Sequence, residues 1–117
     1  MIKIKRVYDK PNESDGFRIL VDRIWPRGLS KSEIKVDLWL KEIAPSDGLR
    51  KWFAHDPKKW EEFKRRYFKE LGDKKELIEL IIEKAHKGIV TLLYGARDEK
   101  FNNAVALKDY IETTKII

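Results

Sequence analysis

A chain of 117 residues with 42% hydrophobic and 11% aromatic content can bury a core and is expected to form one domain over residues 1–117. It has no cysteine, which excludes disulfides, thiolate zinc sites and cysteine nucleophiles, and no apolar run of about 18 residues that would cross a membrane. The net charge of +6 permits attraction to phosphates or nucleic acid, but 20 acids are interspersed among 26 bases, the pattern of an ion-paired surface. High charge, no Cys and one Met are a thermophile's composition. The first residues lack the apolar core of a signal peptide, so a cytoplasmic location is expected.

Residues 2–8 alternate apolar and polar, a strand signature, and residues 10–16 form a turn cluster. Residues 17–24 read as a second strand, broken by Pro26, Arg27 and Gly28. Ser30 and Glu33 match a capping box for a short helix ending near Lys35. Residues 37–43 suit a strand or a helical turn, with the strand preferred. A short helix over 49–54 is expected, capped by Ser46 or Asp47.

Asp56-Pro57 is a strong helix start, because aspartate caps well and proline at the first position loses no needed donor. Trp60, Phe63, Tyr67 and Leu71 then make one apolar stripe. Gly72 ends that helix, and Asp73 with Glu76 is expected to open the next, which closes at Gly88. Residues 89–94 are nearly all apolar, as in a central parallel strand covered on both faces. A final helix over 102–113 follows, and residues 115–117 suit a last short strand. Strands separated by helices give an α/β, three-layer sandwich with a small, mostly parallel four- or five-stranded sheet.

The motifs Val21-Asp-Arg-Ile-Trp-Pro-Arg-Gly28, Asp37-Leu-Trp-Leu-Lys-Glu-Ile-Ala-Pro-Ser46, Arg50-Lys-Trp-Phe-Ala-His-Asp-Pro57 and Leu92-Leu-Tyr-Gly-Ala-Arg-Asp98, with Asn102-Asn103, resemble the YeaO-like family of uncharacterised proteins. That family lies in the wider group called domain of unknown function 488. The resemblance implies a compact α/β domain and brings no catalytic residue, cofactor or substrate. The group's layout is loosely similar to rhodaneses and cysteine phosphatases, whose chemistry needs a thiol that this chain lacks.

Strands that end in charged residues aim them at the carboxyl edge of a sheet, where open α/β folds bind ligands. Arg23, Arg27 and Arg97 follow the two clearest strands and would clamp a carboxylate or phosphate, unless Asp22, Asp98 or Glu42 pairs with them internally. Asn102 and Asn103 open the last helix, where their amides would either hold an oxyanion or cap the helix. Trp25 lies between two of the arginines and suits either a ligand cover or the core. Lys41 and His55 are rim candidates, and His55 is either a proton acceptor or an ordinary loop residue.

No serine or threonine nucleophile stands out, so any chemistry would use water. No metal site, nucleotide motif or cofactor is expected, because the two histidines lack ligand spacing and there is no glycine-rich phosphate loop. The basic segment 58–69 carries acid-first pairs Glu61–Arg65 and Glu62–Arg66, so nucleic-acid binding is expected to be weak. The leading expectation is a small anionic ligand at the carboxyl edge, with or without catalysis. The alternatives are a nucleic-acid-binding module and a protein-interaction subunit with no small-molecule site. Oligomeric state is not legible.

Overall fold

The computed structural model describes residues 1–114. Strands β1 (Ile2–Arg6), β2 (Phe17–Leu20), β3 (Leu38–Trp39) and β4 (Val90–Tyr94) form one parallel sheet in the order β1-β4-β2-β3. Helices α1 (Lys31–Ile34), α2 (Asp47–Phe53), α3 (Trp60–Leu71), α4 (Lys75–Lys87) and α5 (Asn103–Thr114) complete the α/β fold. The strand expected at residues 115–117 lies outside the described residues.

β4 is the centre of the sheet. Val90 registers with Ile2 of β1 on one side and Phe17 of β2 on the other. All five of its residues are buried, as its nearly all-apolar run requires, with the Thr91 hydroxyl donating to the Asp15 carbonyl. Alternation along the strands then divides the side chains between two faces.

Ile19, Val90, Leu92 and Tyr94 enter the larger core, which is covered by α2 to α5. The stripe Trp60, Phe63, Tyr67 and Leu71 is buried there, with the Phe53 and Phe63 rings stacked at 4.2 Å. Leu20 and Leu93 point the other way, into a small cluster with Val7 and Ile34 of α1. Beside that cluster, Arg18 is buried with Asp15 as an ion pair, and its guanidinium also donates to the Ile34 and Lys35 carbonyls. One sheet face therefore carries four helices and the other a single short one with a buried charge pair.

Local chemistry sets the element ends. The Ser30–Glu33 box is reciprocal, with the Glu33 N–H donating to Ser30 Oγ at 3.3 Å and the Ser30 N–H to Glu33 Oε1 at 2.8 Å. Ser46, and not Asp47, caps α2, accepting from the Leu49 N–H. Asp56 accepts from the Lys58 N–H at 3.0 Å, and Pro57 opens a 3₁₀ turn (Pro57–Lys59) that runs into α3.

Three expectations change. β2 stops at Leu20, not near residue 24, because the chain beyond Val21 turns out of the ladder. β3 is two residues long and gives way to a 3₁₀ turn (Lys41–Ile43) before Pro45. Asp73 does not cap α4. The amides of Gly72, Asp73 and Lys74 fold back onto the last carbonyls of α3, which leaves no extended residue to act as a cap.

Candidate functional site

The connection leaving β2 runs through α1 on the thin face, whereas the chain leaving β4 enters α5 on the thick face. Adjacent parallel strands whose connections depart to opposite faces open a crevice between their carboxyl ends. A cavity of about 270 Å³ lies there, lined by Asp22, Arg23 and Ile24 after β2, Gly95 and Ala96 after β4, and Arg50, Phe53, His55, Phe63, Asn102 and Asn103. A second cleft adjoins it, sharing His55, Gly95 and Ala96 and adding Arg97 and Asp98.

Asp22 joins the two strand ends. Its Oδ2 accepts the Gly95 N–H at 2.8 Å, and its Oδ1 accepts Asn103 Nδ2 at 3.0 Å. The same Asn103 amide reaches the Val21 carbonyl, and the Trp39 indole donates to the Asp22 carbonyl. Burial raises the Asp22 pKa above the usual carboxylate value, against the opposing pull of those hydrogen bonds and of the His55 and Arg50 charges.

Arg23 forms the opposite wall. Its Nη2 donates to the Ala44 carbonyl at 3.1 Å and its Nε to Pro45 at 3.4 Å, with Glu42 3.9 Å away. That wall is itself anchored. Lys74 also donates to the Ala44 carbonyl, the Tyr67 hydroxyl donates to Ile43, and Glu70 accepts both the N–H and the hydroxyl of Ser46. Burial lowers the Lys74 pKa and pushes the Tyr67 phenol well up.

His55 reaches the cavity through an uncommon backbone. Ala54 and His55 both have positive φ, 47° and 57°, which costs non-glycine residues about 1–3 kcal/mol each. Arg50 precedes them on α2, in an exposed pair with Asp47 at 3.2 Å.

Of the residues singled out from sequence, Arg23, His55, Asn102 and Asn103 line the cavity and Arg97 lines the adjoining cleft. Asn102 is spent as the cap of α5, accepting from the Val105 N–H at 2.9 Å. Asn103 is spent on Asp22. Trp25, Arg27 and Lys41 line neither cleft. Trp25 packs edge-on against Trp39 with centroids 5.3 Å apart, next to the small thin-face core, and donates to Leu29. Arg27 is exposed, with its carbonyl accepting from the Tyr8 hydroxyl. Lys41 lies over the Trp39 ring at 5.4 Å.

Asp22, as a cavity-lining residue, was read from sequence only as a partner for arginine. Arg50 and Phe53 lay in a family motif that gave them no role, and Phe63 read only as part of the apolar stripe of its helix. Among the described residues, no Ser, Thr, Tyr or Lys side chain lines either cleft.

Elsewhere, Lys64, Arg65 and Arg66 of α3 are each paired with an acid. Glu62 accepts from Arg65 and Arg66, which hold its pKa at about 2, and Glu61 pairs with Lys64 rather than Arg65.

The chain is similar to the uncharacterised protein YeaO of Escherichia coli, at 41% identity over 112 residues, 96% of this chain and 97% of that protein. An uncharacterised protein of Mycobacterium tuberculosis is 46% identical over 79 residues, 68% of this chain and 67% of its own. No solved structure matches the chain. The family model described as the inactive DUF488-N3 subclade matches residues 1–115. The chain belongs to that subclade of the DUF488 family, together with its YeaO-like relatives.

Proposed function

We propose that this protein binds a small carboxylate- or phosphate-bearing ligand in the crevice between the ends of β2 and β4, and does not turn it over. One observation carries the reading: Arg23 after β2, and Arg50 and His55 from α2 and its C-terminal end, line a single cavity at the carboxyl edge of adjacent parallel strands. Arginine forks suit both ligand groups. The carboxylate among the cavity's lining residues, Asp22, is held by a hydrogen bond to each oxygen, so it is an anchored acceptor rather than a nucleophile. The family description as inactive agrees with binding without catalysis. The nucleic-acid alternative is weakened by the paired acids along α3.

The test is a titration of isotope-labelled protein with inorganic phosphate and with acetate, following backbone amides. Saturable shifts at Gly95, Ala96 and Asn103, weakened several-fold in Arg50→Ala, are expected. Shifts scattered over the surface lysines, or none at millimolar anion, would overturn the reading.

A further inference from the structure

We infer that the ligand carries a hydroxyl group beside its anionic group, as in a 2-hydroxy carboxylate or a phosphorylated alcohol with a neighbouring free hydroxyl. This rests on the anion reading above and narrows it. A bare anion leaves Asp22 without a partner in the cavity. An ionised carboxylate only accepts hydrogen bonds, and each of its oxygens has room for more than one. In Asp22 the Gly95 N–H takes up part of Oδ2 and the Asn103 amide part of Oδ1, so each oxygen keeps accepting capacity, and Asp22 lines the cavity.

A purely anionic ligand placed beside Asp22 would be repelled by it. A ligand that offers a donor there converts that repulsion into a charge-assisted hydrogen bond. The donor is neutral. An ammonium in this position would face Arg23, Arg50 and, when protonated, His55, all lining the same cavity. Phe53, Phe63 and Ile24 supply an apolar wall for the carbon skeleton. The cavity, about 270 Å³, falls below the usual range for drug-sized ligands, which limits the occupant to a few carbons.

Matched ligand pairs test this on the unmodified protein. Propionate is compared with lactate, and methyl phosphate with glycerol 3-phosphate, by amide titration and thermal shift; alanine serves as the ammonium control. The hydroxylated member of at least one pair should bind about tenfold tighter, the worth of one hydrogen bond to a charged group. Which pair responds distinguishes a carboxylate from a phosphate ligand. In Asp22→Asn, checked for native amide dispersion, that advantage should shrink toward unity. Equal affinity within both pairs, with shifts confined to the cavity, would overturn the hydroxyl inference and leave the anion reading standing. Alanine binding more tightly than lactate would also overturn it. Binding by no member of any pair would overturn both.

Discussion

Gly95 donates its backbone N–H to the Asp22 carboxylate at 2.8 Å, which fastens the end of the central strand to the end of its neighbour. The contact is close on the carbon side too. A Cβ added at Gly95 would stand 3.0 Å from Asp22 Oδ2. Asp22 cannot simply withdraw, because Asn103 holds its other oxygen. Gly95→Ala should therefore cost about 1–3 kcal/mol, the usual range for overpacking. Urea unfolding checks this. Unchanged stability would mean that the crevice floor relaxes freely.

Asp22 also makes a prediction about pH. Its folded pKa is raised, chiefly by burial, above the ordinary carboxylate value of 3.8. Between those two values the folded state holds more protons than the unfolded state, so this residue's contribution to stability falls as pH rises through that window. An asparagine at 22 would turn its NH₂ toward one of the two donors, so Asp22→Asn should be less stable overall. Its deficit relative to wild type should be largest at the acid end of the window and shrink as pH rises. A deficit constant from pH 3.5 to 7 would contradict the raised pKa.

Asp15 should behave in the opposite sense. Burial raises its pKa, but hydrogen bonds from the Asn12 N–H, Lys5 and Arg18 outweigh that and hold it below 3.8. Its stabilisation is present above the unfolded value and is lost as pH falls through the folded one. Asp15→Asn leaves the Arg18 charge buried without its partner, which should cost about 3–5 kcal/mol at neutral pH. The deficit should narrow in strong acid. Denaturant midpoints at pH 7 and pH 3 measure both values.

Gly16 and Gly28 form a controlled comparison. Both have positive φ, 65° and 81°. A Cβ at Gly16 would lie 2.2 Å from the Ile89 carbonyl oxygen, which accepts the Phe17 N–H and joins β2 to the start of β4. Among the described residues, nothing beyond the adjoining residues of the chain lies within 4 Å of a Cβ at Gly28. Gly28→Ala should cost about 1 kcal/mol from backbone strain alone. Gly16→Ala should cost several times that or prevent folding. Similar melting temperatures for the two variants would refute the close approach.

Asp56→Ala should lose about 1 kcal/mol through the missing cap, read by thermal unfolding.

The elements that follow from local chemistry were legible in the sequence. Ser30–Glu33, Ser46, Asp56-Pro57 and the Trp60 stripe each act within a few residues, where periodicity and capping report directly. The parallel β4 was legible because only a central strand keeps five apolar-facing positions buried on both sides. Trp25 was not legible. β2 ends at Leu20, so the period of two no longer says which way residues 21–25 face, and the indole packs next to the thin-face core. Arg50 was harder still, because nothing in its sequence setting marks it as facing a cavity. His55 was named as a rim candidate, but the two left-handed residues that carry it there were not legible, since neither Ala54 nor His55 announces that backbone conformation. Asp22 was visible as an acid at a strand end, but its ties to Gly95 and Asn103 span 73 and 81 positions of chain.

The strand order also governs how the molecule is made. β1 and β2 are the first strands to be synthesised, yet they are not neighbours, and each pairs with β4. An emerging chain has β2 to offer β3, in a ladder of only two registered pairs, until residues 90–94 leave the ribosome. The sheet must therefore assemble late, by insertion of a strand between two waiting segments. Such non-local closure is intrinsically slow. Nascent chains stalled before Val90 will expose the apolar faces of β1 and β2 and depend on chaperones, whereas the sheet can close once Tyr94 emerges and the crevice only once Asn103 follows.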